Sequence, residues 1–171
     1  MTNFLHRSLM LGVTLAAVSI TPAQGAAEAT IAAEEAETPN VDSWLTSLHT
    51  NLTTVVNNIV ITLTDARVVA PMRRLDGIKE SFAKTVAESS MASSATLELA
   101  VVTTAQTLLR VVEQATAEQK TALTPCLSAI QKYVEESINF LTTCLGLSPD
   151  NDRITNLQTR SEALTGEAVT G

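Results

Sequence analysis

From residue 41 onward, apolar positions recur every three to four residues rather than every two, the spacing that lays a stripe along one face of a helix. Leu45, Leu48, Leu52, Val55, Ile59 and Ala66 keep this step, with Thr62 in the gap, behind the breaker and cap residues 39–43. They predict a first helix over 43–69, and Val56, Val60 and Leu63 widen its stripe enough for two neighbours. Pro71 closes it, because the residue before a proline is pushed away from helical backbone. Leu75, Ile78, Phe82 and Val86 predict a second helix over 72–89, weakened by Gly77 by up to about 1 kcal/mol relative to alanine. The small polar run 89–94 reads as a turn in which Ser93 or Ser94 caps a third helix. Leu97, Val101, Leu108, Val112 and Ala115 carry that helix to about residue 116. Val102, Leu109 and Val111 broaden its stripe and make it the expected central helix.

Between the third and fourth helices, 117–122 contains no breaker, and Pro125 sets the firm start of the fourth near Thr124, as an N-cap with proline in the first turn. Its stripe runs to Leu145, ahead of Gly146, a natural helix stop. Ser148-Pro149-Asp150 then caps a shorter fifth helix, marked by Ile154, Leu157 and Leu164. No alternating run is long enough to demand a strand, and the connections are short. The expected fold is therefore all-α, an up-down bundle of four long helices plus a short C-terminal fifth.

The segments outside this pattern define the organisation of the chain. Residues 1–25 read as a signal peptide: Arg7 in a short basic region, an apolar stretch over 8–20, and Ala23 and Gly25 at the small-residue cleavage positions. That stretch is too short for a membrane span, and no other run is uniformly apolar enough to cross a bilayer. Residues 26–40 form an Ala/Glu-rich acidic flexible arm with little to bury, 41–165 the helical bundle domain, and 166–171 a small, polar, disordered tail. The expected product is secreted and extracellular. Its core is aliphatic, since aromatic residues make up only 3% of the chain. The formal charge of −7 argues against nucleic acid as a partner, because phosphate binding needs a basic face.

Candidate chemistry is sparse. Once the leader is removed, His49 is the one histidine left, beside Leu48 on the apolar stripe, and no nucleophile-elbow motif is present. No catalytic residues are assigned, and the expected protein is not an enzyme. Two cysteines and a histidine do not make a four-ligand zinc site. Asp150-Asn151-Asp152 lacks the glycine and the closing glutamate of a calcium loop, so no metal or cofactor is expected either. Arg67, Arg73, Arg74, Lys79 and Lys84 cluster around the first helix junction, interleaved with Asp65, Asp76 and Glu80 as on a solvated helix surface. Asn51-Leu52-Thr53 is an N-glycosylation sequon.

Excess apolar surface is the remaining candidate. The first, third and fourth helices have stripes wider than one bundle seam requires, which fits either a central position or a ligand cavity. Leu97, Val101, Leu108, Val112, Ile130, Tyr133 and Phe140 are the expected ligand-facing residues. The leading expectation is a secreted, non-enzymatic helical binding or interaction protein that holds a small apolar ligand or a protein partner. The alternative is a structural or self-assembling extracellular protein that oligomerises through its fourth helix.

Cys126 and Cys144 sharpen that alternative. Eighteen positions apart, they share a helical face but lie about 27 Å apart along an unbroken helix, whereas a disulfide needs Cα atoms within about 7 Å. Three arrangements follow: a break inside 132–139 that makes a hairpin, two reduced and buried thiols, or bridges between chains. In the last, Cys126, Ile130, Tyr133, Ser137, Phe140 and Cys144 form a stripe that, laid antiparallel on a second copy, pairs the cysteines across a homodimer.

Overall fold

The computed structural model describes residues 40–168, all of whose regular structure is helical. The expected leader, the arm up to residue 39 and residues 169–171 lie outside the described residues.

Helix α1 spans Val41–Asp65 and starts where Asn40 accepts a hydrogen bond from the Ser43 backbone N–H at 3.2 Å. It ends four residues before the expected boundary. The Arg67 N–H donates to the Thr64 carbonyl (2.9 Å) and the Val68 N–H reaches back to the Leu63 carbonyl (2.8 Å), with Arg67 in the left-handed region at φ 58. This is a Schellman turn, and it folds Val68 back onto the core. Periodicity alone had carried the helix through to Val69.

Helix α2 covers Met72–Ala87, directly after Pro71, and buries Leu75, Ile78 and Phe82. A 3-10 turn at Ser89–Met91 precedes α3, Ser94–Glu113, whose N-cap Ser93 accepts from the Thr96 N–H at 3.2 Å. The segment without a breaker between the third and fourth expected helices forms a separate two-turn helix, α4, Ala117–Leu123. Its first turn is a capping box: the Thr116 hydroxyl accepts from the Gln119 N–H (3.2 Å) and the Gln119 side chain accepts from the Thr116 N–H (2.9 Å). Pro125 then sits in a 3-10 turn, Thr124–Cys126, ahead of α5, Leu127–Thr143.

Gly146 ends this segment in the left-handed region at φ 69, as its position after the stripe predicts. The last helix, α6, is Asp152–Ala168. At 17 residues it equals α5 in length, so the expectation of a short fifth helix is corrected. Its cap is Asn151, whose side chain accepts from the Arg153 N–H at 2.9 Å; Asp150, expected to cap it, lies one residue further out.

Helix α3, the expected central helix, packs against α2, α4, α5 and α6. Helix α5 lies against α1, α3 and α6, while α2 bridges α1 and α3, and α4 rests on α1 and α3. One continuous core results, built from Leu45, Leu52, Ile59 and Leu63 of α1, Leu75 and Phe82 of α2, Val101, Leu108 and Leu109 of α3, and Ile130, Val134, Phe140 and Leu141 of α5. Each such side chain contributes about 1.5–3 kcal/mol by leaving water. Helix α3 is long and apolar enough to cross a membrane by composition, but half of its most apolar window is buried inside this core. That burial accounts for its hydropathy.

Candidate functional site: the cleft over Tyr133

The seven residues expected to face a ligand meet in one place, and that place is the core. Leu97, Val101, Leu108, Val112, Ile130, Tyr133 and Phe140 are all buried within a single apolar cluster. Six of them carry only carbon atoms and are satisfied by contact. Tyr133 differs: it is 1% exposed, and its hydroxyl has no hydrogen-bond partner. A buried polar group left unpaired costs about 1–3 kcal/mol.

Tyr133 lines a surface cleft of about 170 Å³ between α1 and α5. Asn51, Thr54 and Val55 line it from α1, and Ala129, Lys132, Tyr133 and Glu136 from α5. On both helices the residues are three or four positions apart, which is why each set shares a face. The Asn51 amide donates to a Glu136 carboxylate oxygen at 2.5 Å, tying the two helices together across the cleft. Val55 and Ala129 give it apolar walls, and Lys132 is exposed at its edge. Burial pushes the Tyr133 phenol well above the ordinary tyrosine range, the Ser137 side chain working against that shift and the Glu136 carboxylate adding to it, so the hydroxyl stays neutral. The Ser137 hydroxyl donates to the Tyr133 backbone carbonyl one turn earlier in the same helix, at 2.9 Å.

Two site expectations thus come together, since Asn51 and Tyr133 line the same cleft. Asn51 is half-buried and its amide nitrogen is engaged by Glu136, so a glycan on that nitrogen would displace the contact. Lys132, Glu136 and Ala129 went unnoticed in the sequence, although their offsets from Tyr133 place them on its face. Their α1 partners required the tertiary structure.

The cysteine alternatives are narrowed. Helix α5 runs unbroken from Leu127 to Thr143, so the hairpin that would have brought Cys126 to Cys144 does not form, and both are free thiols. Cys126 is buried and its thiol donates to the Thr62 hydroxyl at 3.4 Å. Cys144 is half-buried at the end of α5, and burial raises its pKa. The stripe Cys126, Ile130, Tyr133, Ser137 and Phe140 is covered by the chain's own helices, so those side chains are not available to a second copy in this fold. His49 stacks on Phe82, ring centroids 6.3 Å apart and planes at 24°. Among the described residues no three His, Cys, Asp or Glu side chains converge as metal ligands would.

Comparison of the chain with family models, curated proteins and solved structures finds no match.

Proposed function

We propose that the chain is an exported, non-enzymatic helical binding protein whose α1–α5 cleft takes a small molecule combining a ring-sized apolar body with a hydroxyl group. The observation that carries this reading is Tyr133, a residue of the cleft lining whose buried hydroxyl has no hydrogen-bond partner within the chain. A ligand hydroxyl suits it because it accepts from Tyr133 while donating to Glu136, whose second carboxylate oxygen is not engaged by Asn51. Val55 and Ala129 receive the carbon skeleton. The volume is consistent with this class, since an apolar cavity of about 150 Å³ is enough for benzene. The signal-peptide pattern of residues 1–25 supports export. The packing of sequential neighbours, α1 with α2, α2 with α3 and α5 with α6, supports an up-down bundle as the frame.

Phenol and toluene, which carry a hydroxyl and a methyl at the same position of the ring, test the reading by titration against the full chain, followed by NMR. Phenol is expected to bind about tenfold more tightly, the worth of one hydrogen bond of about 1.4 kcal/mol. Tyr133→Phe should erase that preference and leave toluene binding unchanged. It should also leave stability unchanged or raise it, because the substitution removes an unpaired polar atom. Equal affinity of the two probes for the unaltered chain, or an undiminished phenol preference in Tyr133→Phe, would sink the assignment.

A further inference from the structure

The elbow between α1 and α2 combines features the cleft does not use. Val69 is 83% exposed and Met72 44% exposed, two of the large apolar side chains left exposed among the described residues, with Ile61, Met91 and Leu99 elsewhere. Arg67, Arg73 and Arg74 are all exposed around them. The Arg74 guanidinium donates to the Gln114 side chain at 2.7 Å, whereas Arg67 and Arg73 carry no carboxylate partner among the described residues. Of the acids nearest in sequence, Asp76 is turned to Lys79 at 3.6 Å and Asp65 closes α1.

Arg67 also occupies the left-handed region, where glycine sits without steric penalty and other residues are strained. The equivalent corner after α5 is made by a glycine, Gly146. The elbow is nevertheless fixed, because the Gln119 amide of α4 donates to the Val69 carbonyl at 2.6 Å. Beside it, Ala70, Pro71, Met72, Arg73, Arg74 and Gln114 line a shallow groove wide open to solvent.

We propose that this elbow is a docking surface for an acidic, partly apolar peptide segment of a partner protein. Charge complementarity selects the occupant: arginine forks grip carboxylates with two parallel hydrogen bonds, and the chain concentrates these cations here although its net charge is −7. The groove selects a peptide over a lipid surface, since Ala70, Pro71 and Met72 receive an apolar side chain between the carboxylates. The acidity of the rest of the chain opposes approach to an anionic bilayer. The tie from Gln119 holds the surface in one conformation before the partner arrives, which lowers the ordering cost of binding.

The test is fluorescence anisotropy of a labelled short peptide of alternating Glu and Leu pairs, titrated with the full chain, with the same peptide carrying Lys for Glu as control. The acidic peptide is expected to bind, more tightly as salt is lowered, and the basic peptide not to. Charge reversal in Arg67→Glu/Arg73→Glu should weaken capture by about tenfold or more, and Val69→Ser/Met72→Ser by a few-fold, while circular dichroism shows both variants still folded. Absence of binding to the unaltered chain, or equal binding by Arg67→Glu/Arg73→Glu, overturns the proposal. Variant-sensitive binding to phosphatidylserine vesicles without capture of the peptide also overturns it, in favour of a lipid surface.

Discussion

The inward face of α5 and the elbow between α1 and α2 both present large apolar side chains, yet the fold treats them in opposite ways. On α5, Ile130, Tyr133, Phe140 and Leu141 are covered by helices from both ends of the chain, and even the cysteine at the start of that face is buried with its thiol bonded to Thr62. At the elbow, Val69 and Met72 stay in water although the adjacent Val68 and Ala70 pack against the core. An apolar stripe that the fold itself covers says little about function, because burial is sufficient reason for it. An apolar pair left exposed among cations has no such explanation, and the Tyr133 hydroxyl, buried in the covered face without a partner while the Ser137 hydroxyl beside it is bonded, has none either.

The contrast is sharpest in stability. Phe140→Ala should cost about 3–5 kcal/mol by removing a fully buried ring and leaving a cavity, whereas Val69→Ser should stay within about 0.5 kcal/mol. Urea denaturation of the two variants measures both, and comparable losses would erase the distinction between the regions. Arg67→Gly should move the other way and stabilise the chain by about 0.5–1 kcal/mol, since glycine adopts φ 58 without the clash of a side chain. A loss of stability in that variant would mean that the arginine earns its place through the fold and not through a partner.

The smallest effect belongs to a contact outside both regions. Arg160 of α6 clasps Glu113 at the end of α3 through two hydrogen bonds of 2.7 and 2.8 Å. Those bonds hold the Glu113 carboxyl below its usual 4.5. A depressed carboxylate adds stability at pH above its unfolded value and loses it as pH falls through its folded value. The Glu113 side chain is 39% exposed, so solvent screening limits the effect to under about 1 kcal/mol. In Glu113→Gln, the fall in melting temperature between pH 5 and pH 3 should be shallower than in the unaltered chain; an unchanged slope would show the clasp to be energetically idle.

Much of the helical layout was legible. Ser93 capped α3 as its residue type predicts, Pro71 bounded α2, and the stripe over 45–63 marked the buried face of α1. Helix α4 was missed although its signature was present, because Thr116 followed three residues later by Gln119 is a capping box that needs no apolar run. The end of α1 was less accessible, since its turn depends on Arg67 taking a backbone conformation that its residue type disfavours. Of the candidate site, Tyr133 and Asn51 were legible as individual residues. That they line one cleft was not, since 82 positions separate them and only the packing of α1 on α5 brings them together.

By itself, the sequence determined the helical period, most of the caps and breaks, and the separation that forbids a disulfide within one helix. These are local properties, fixed by residues a few positions apart. Only the tertiary structure decided which apolar faces were consumed by the core, which thiols were covered, and which groups remained over. A helix face is equally apolar whether it meets its own chain, a ligand or a partner, and only the neighbouring helices determine which of these covers it.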